Sequence, residues 1–243
     1  MLILGFDTAT PWGTMALGDE TDTIFEISLK SGKGGGEYLL SILSRLLVKS
    51  GKSLDEVGLI AAGTGPGSYT GIRVGLAAVR GLAEGLKIPV MGVDTLRIIA
   101  ENGYRAGDLV ATVIDAKRGW VYTALYQNSA QGLKEYWPPC YSEVEGFAKR
   151  LASLKEVLIC GDGGKKYRET WESSSLVQIG PSAWDRPSAA NLVRIAAQRR
   201  LADHKDQNQD LSPCYLRKVE AVARLEERMN ADRSCSDEIR RLK

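Results

Sequence analysis

The sequence predicts an α/β fold made of two related lobes in tandem, and three observations carry the prediction. LILGFDTATPWGTMAL and LVATVIDAKRGWVYTAL read as two copies of one device: an apolar strand ending in Asp, a turn holding Gly, then a second strand. In both, ten positions separate the Asp (Asp7, Asp115) from a Leu (Leu17, Leu125). EVGLIAAGTGPG and EVLICGDGG each run from a buried-type strand into a glycine turn that leads toward a helix. Gly63 and Gly161 lie about as far apart as the two aspartates, the spacing expected of a duplicated unit. Finally, 243 residues with 44% hydrophobic content suffice to bury a substantial core.

Taken in order, the first hairpin ends in the polar stretch Lys33 to Gly36, which reads as a flexible loop. A helix follows from about Glu37 to Lys49. The strand of EVGLIAAG leads through GTGPGSYTG into a second helix, Thr70 to Leu86. Residues 1–103 form the expected N-terminal lobe and 104–217 the C-terminal lobe, whose strands repeat the first set. In the tail, 218–243, Val219, Val222, Leu225 and Met229 keep helical spacing, and the residues after Asn230 read as frayed or disordered.

Composition excludes several functions. Lys and Arg number 32 against 30 Asp and Glu, so a net charge of +2 gives no overall field to hold nucleic acid; any RNA contact is local or supplied by a partner. The N-terminal apolar stretch is too short for a signal segment, and no run approaches the ~20 residues of a membrane span, so a cytoplasmic protein is expected. The four cysteines, Cys140, Cys160, Cys214 and Cys235, form no CxxC pair, which argues against a zinc knuckle or redox motif. The single histidine, His204, sits in a polar loop, so a catalytic triad or His-based metal cage is not expected.

The glycine loop supports two readings. It lacks the lysine and following hydroxyl of a P-loop. Gly65 and Gly67, with Arg73 one turn into the helix, form at most a weak anion nest. A tight strand-to-helix turn using Pro66 and Gly67 is favoured. Beyond it, Gly71, Gly75, Ala78, Leu82 and Gly85 follow 4, 3, 4, 3 spacing and make one nearly smooth stripe. Each helical glycine costs about 1 kcal/mol against alanine, and close approach of another backbone is the usual reason to keep it. On the preceding helix Tyr38, Leu39, Leu40, Ile42, Leu43, Leu46 and Leu47 cover about 200° of the circumference, wider than one core face needs. Leu39, Leu43 and Leu46, with the glycine stripe, are therefore expected to meet a second protein.

Duplicated lobes of this kind resemble the architecture of actin, Hsp70 and the sugar kinases, which are built from tandem ribonuclease-H-like lobes. More narrowly, GPGSYTGIRVGLAAVRGLAEGLKIPVMGVDTL resembles the hallmark segment of the TsaB family, and IDAKRGWVY, GDGGKKY and PCYLR follow in the family's order, so that the likeness runs from Met1 to about Arg217. The resemblance implies a non-catalytic partner of TsaD in the bacterial complex that installs threonylcarbamoyl on a tRNA adenosine next to the anticodon. It implies pairing of these two helices with their counterparts in TsaD, docking of the ATPase TsaE on the pair, homodimers through the same surface, and tRNA contact through the complex. ATP or ADP with Mg at the complex interface is the one cofactor it allows. This chain departs from the family in having Gly35, Gly36 and Glu37 where a His-Ser-Glu is frequent.

The rival class is an ATP-dependent kinase or ATPase of the same superfamily. It needs glycine close behind each Asp so that backbone can wrap phosphate, whereas here Asp7 is followed by Thr8-Ala9-Thr10 and Asp115 by Ala116-Lys117. Asp7 remains a candidate magnesium contact. A metallopeptidase needs ligands that one histidine does not supply.

Overall fold

A computed structural model of the chain describes residues 1–30, 39–172, 176–202 and 211–217. Strands β1 (Leu2–Asp7), β2 (Trp12–Gly18), β3 (Thr23–Lys30), β4 (Val57–Gly63) and β5 (Val90–Val93) form one sheet, ordered β3-β2-β1-β4-β5. A second sheet, ordered β10-β9-β6-β7-β8, contains β6 (Leu109–Lys117), β7 (Trp120–Ser129), β8 (Gly132–Glu143), β9 (Val157–Cys160) and β10 (Val177–Ile179). Both are the same arrangement: an antiparallel meander whose first strand pairs in parallel with the fourth, and the fourth with the fifth. Asp7 closes β1, and Asp115 lies two residues from the end of the equivalent strand β6. The duplication read from the paired aspartates and glycine turns is thus the duplication of a sheet.

β1 reads LILGFD because it is paired on both edges and covered on both faces, so every residue is buried. On one face lie α1 (Leu39–Ser50) and α2 (Tyr69–Leu86). Leu39, Ile42, Leu43 and Leu46 of the first helix and Ile72, Leu76, Val79 and Ala83 of the second share a core with Leu4, Phe6, Met15 and Ile60. Each buried Leu or Ile contributes about 2 kcal/mol. Ser68 caps α2 by accepting the Gly71 N–H at 3.2 Å, and Lys87, left-handed at φ 56°, closes it by donating to Ala83 O and Glu84 O. Helix α3 (Thr95–Ala100) then enters the joint between the lobes. In the second lobe α4 (Val144–Leu151), α5 (Asp162–Lys166) and α6 (Arg168–Glu172) surround a core that holds Phe147 and Trp171.

The expected lobe boundary is corrected at the C-terminal end. Helix α7 (Ala189–Ala202) does not cover the second sheet: Ala189, Leu192, Val193 and Ile195 pack with Ile3, Ala16 and Leu59 on the other face of the first. That face is apolar and needs a cover, and the chain returns to supply it. Residues 211–217 then run back along the joint. Leu211 joins the first lobe's core, Cys214 N–H donates to Thr64 O at 2.8 Å, and Leu216 packs on the second lobe. The expected loop at Lys33 to Gly36, the helix start at Glu37 and Tyr38, His204, Cys235 and the tail 218–243 lie outside the described residues.

Candidate functional site

The loop from Gly63 to Ser68 carries the chain into α2 while lying on the β1–β2 turn. Ser68 N–H donates to Ala9 O at 2.7 Å, and a Cβ on Gly67 would stand 2.0 Å from that oxygen. The contact continues up the helix. Thr8 Oγ1 donates to Gly71 O at 2.8 Å, and a Cβ on Gly71 or Gly75 would lie 2.2 Å from Thr8 O or Thr8 Oγ1 respectively. At such separations an added Cβ forces the β1–β2 turn or the Thr8 side chain to move, so these glycines serve the lobe's own packing. The expectation that Gly71 and Gly75 meet a partner helix is corrected, and with it the same expectation for Leu39, Leu43 and Leu46, which are buried in the first core. Ala78 and Leu82 are half-buried beside that core, while Gly85 is exposed and has no atom within 4 Å of a built Cβ. The geometry explains the split. At about 100° per residue the stripe runs along the border between the buried face, centred near Val79, and the solvent face, so its N-terminal end meets Thr8 and its C-terminal end does not.

The solvent face itself is set one residue over. Ala77, Gly81 and Gly85 are all exposed at i, i+4, i+8, and neither glycine has an atom within 4 Å of a built Cβ. On the same side of the sheet, Leu40 and Val48 of α1 are 71% and 76% exposed. Of these, Leu40 belongs to the wide apolar arc on α1 and Gly85 to the small-residue stripe on α2, whereas Val48, Ala77 and Gly81 lie outside both. The signal was present in the sequence as Ala-x3-Gly-x3-Gly, but it competed with the inward stripe that shares Gly85.

Between the lobes opens a cleft of about 450 Å³, whose lining includes Thr10, Gly67, Tyr69, Asp115, Tyr122 and Tyr215. Of the residues expected to touch a nucleotide or anion, Gly67 alone lines it. Asp7 is fully buried, its Oδ1 accepting Ala9 N–H at 2.8 Å and its Oδ2 accepting the Thr95 hydroxyl at 2.8 Å. Burial pushes its carboxyl up to about 6 against the pull of those two bonds. Asp94, which caps α3, is pushed up to about 7 by the same cause. Gly65 N–H is spent on Thr95 Oγ1 at 3.1 Å. Arg73 is held by the two tyrosines instead, stacking 4.1 Å over Tyr69 and donating to the Tyr215 hydroxyl at 3.0 Å. The anion nest is therefore not assembled.

The second aspartate is sealed differently. Asp115 accepts the Lys117 N–H at 3.0 Å, Lys117 Nζ at 2.6 Å, Lys166 Nζ at 2.7 Å and the Tyr167 hydroxyl at 2.9 Å. Burial works to raise its pKa, but the lysines and the tyrosine outweigh it and hold the carboxyl at about 2. A magnesium nucleotide needs carboxylate oxygens facing the cleft and open backbone amides around phosphate. Here one aspartate is enclosed and the other is saturated by four donors, so the residues present do not fit that group. Among the described residues no cluster of three or more His, Cys, Asp or Glu is placed to hold a metal. The partners Lys166 and Tyr167 sit in the GDGGKKY stretch, but their reach of about fifty residues to Asp115 is a tertiary fact.

Residues 35–224 match the family described as "TsaD: tRNA N6-adenosine threonylcarbamoyltransferase". Over nearly its whole length the chain is 31% identical to the tRNA threonylcarbamoyladenosine biosynthesis protein TsaB of Bacillus subtilis, across 230 residues that cover 92% of this chain and 97% of the relative. The chain belongs to the TsaB family. YeaZ from Pseudomonas aeruginosa superposes with a TM-score of 0.75 at 26% identity, covering 88% of this chain and 99% of that one. Component A of (R)-2-hydroxyglutaryl-CoA dehydratase from Acidaminococcus fermentans, at 11% identity and a TM-score of 0.51 over 84% of this chain and 100% of that one, shares the fold alone. The two-lobed actin-like fold class is therefore that of this TsaB-family chain, and its relatives take part in making threonylcarbamoyladenosine in tRNA. No helix among its described residues is long and apolar enough to cross a membrane.

Proposed function

We propose that this chain is a non-catalytic scaffold subunit of the complex that adds threonylcarbamoyl to tRNA, pairing with and activating a TsaD subunit through the outer faces of α1 and α2. The observation that carries the proposal is the open surface at Ala77, Gly81 and Gly85, on the same side of the sheet as the exposed Leu40 and Val48. Two bare glycines in an exposed helix cost about 1 kcal/mol each, which close packing of a partner helix offsets. The scaffold role draws further support from the cleft, where neither Asp7 nor Asp115 is free to hold a metal or phosphate. A TsaE-type ATPase docks on the pair in this reading, tRNA engages the assembled complex, and a homodimer uses the same face when the partner is absent. Any ATP or ADP with Mg belongs to the complex interface rather than to this chain's cleft. Calorimetry and gel filtration with a TsaD-family protein test it: a one-to-one complex is expected from the parent and none from Gly81→Leu or Gly85→Leu. Full-strength pairing of both variants would refute this interface.

A further inference from the structure

The surface at the mouth of the interlobe cleft combines two chemistries that the helix face does not use. On the first-lobe rim, Tyr69 and Tyr215 lie with ring centroids 5.1 Å apart and remain 37% and 39% exposed, with the Arg73 guanidinium 4.1 Å above Tyr69. On the second-lobe rim, the β6–β7 turn presents Lys117, 71% exposed at its side chain, and the exposed Arg118, with Lys166 beside them through Asp115. Lys117 and Lys166 both pair with Asp115, and Arg118 adds a further cation on the turn, in a chain whose total charge is only +2.

The turn is also conformationally costly. Lys117 and Arg118 are both left-handed, at φ 71° and 57°, ahead of Gly119 at φ 79°. Asn or Gly is the usual choice for such a hairpin. Long cationic side chains kept at strained positions on an exposed turn point to a use for their charge. The cleft floor between the rims carries Tyr122, which packs on Tyr141, itself stacked on Trp120 at 4.5 Å. Cations on one side and exposed rings on the other are the complement of single-stranded nucleic acid, whose phosphates seek the first and whose unstacked bases seek the second.

We propose that the mouth of this cleft is a single-stranded RNA contact surface, with Lys117 and Arg118 on phosphates and the Tyr69–Tyr215 pair receiving a base. It rests on the reading of the chain as part of a tRNA-modifying complex, and it assigns to this subunit a direct share of the RNA. A small nucleotide within the cleft would reach Lys117 but leave Arg118 unused, because Arg118 lies outside the cleft lining. An acidic polypeptide would use the cations but gain nothing from the rings.

The test is an anisotropy titration of a fluorescently labelled tRNA anticodon stem-loop with the full chain at low salt. Weak, saturable, salt-sensitive binding is expected. Lys117→Ala with Arg118→Ala should lower the salt slope by about 1.4, at about 0.7 per single-strand phosphate contact. Tyr69→Ala with Tyr215→Ala should weaken binding about ten-fold at unchanged slope, while Tyr215→Phe, which keeps the ring and loses only the hydroxyl, should bind like the parent. Absence of saturable binding, parent-like affinity in both double variants with parent-like melting, or equal competition by poly-glutamate would overturn the assignment. Pairing with TsaD, measured separately by gel filtration, has no bearing on this titration, so failure of one reading is distinguishable from failure of the other.

Discussion

Replacing Gly75 with alanine tests the central packing contact, because the gain and the loss are both legible. Alanine is better than glycine inside a helix by about 1 kcal/mol. The new methyl, however, would lie 2.2 Å from Thr8 Oγ1 and 3.3 Å from the Phe6 ring. Thr8 has to rotate away, which forfeits its 2.8 Å bond to Gly71 O at about 1 kcal/mol and forces an unfavourable side-chain angle at about 1 kcal/mol more. With strain against the buried ring added, the net cost is about 1–2 kcal/mol. Thr8→Ala alone should cost about 1 kcal/mol for the lost bond. In that background the Thr8 clash is gone, since Thr8 Cβ stands at 3.4 Å, while the Phe6 ring at 3.3 Å remains, so Gly75→Ala should be neutral or stabilise by up to about 1 kcal/mol. The double-mutant cycle is expected to give a coupling of about 2 kcal/mol. Urea melts of the four proteins measure it, at a concentration where the parent is monomeric so that no dimer equilibrium intrudes. Equal effects of Gly75→Ala in both backgrounds would refute the contact and return Gly75 to an exposed surface.

Gly85→Leu provides the contrast on the same helix: with open space around the site and a better helix former in place, melting should stay level or rise by a few degrees while TsaD pairing is lost. A steep fall in its melting temperature would show that the face is packed within the chain. The isolated chain should neither hydrolyse ATP nor transfer threonylcarbamoyl to tRNA, and turnover abolished by Asp115→Ala would overturn the scaffold reading. For pH, the sign follows from Asp7, whose folded pKa of about 6 lies above its ordinary 3.8. The folded state holds that proton more tightly, so the contribution is full below about pH 4 and is lost as pH rises through about 6. At about 1.4 kcal/mol per unit this amounts to about 3 kcal/mol, and Asp7→Asn should flatten the fall in stability between pH 4 and pH 7. An identical pH profile in the variant would show that the carboxyl is not buried as described.

Sequence alone determined the duplicated α/β architecture, both N-terminal helices to within a residue or two over their described lengths, and the family, because apolar periodicity, turn chemistry and a specific glycine-rich segment are local properties. It also determined that α2 carries more small residues than a helix needs. Only the tertiary structure decided where they face. The 4, 3 spacing fixes a stripe on a cylinder but not its azimuth, and the β1–β2 turn, more than sixty residues away, claims Gly71 and Gly75 through Thr8. The same holds for the aspartates: local pattern marks Asp7 and Asp115 as equivalent, yet Thr95 encloses one and Lys166 and Tyr167 saturate the other. The placement of α7 was likewise undecidable locally, since a helix rich in buried alanine fits either sheet, and only the uncovered face of the first selected it. Periodicity is written in neighbours along the chain; which surface meets which is set by long-range burial, and that free energy exists only once the lobes have formed.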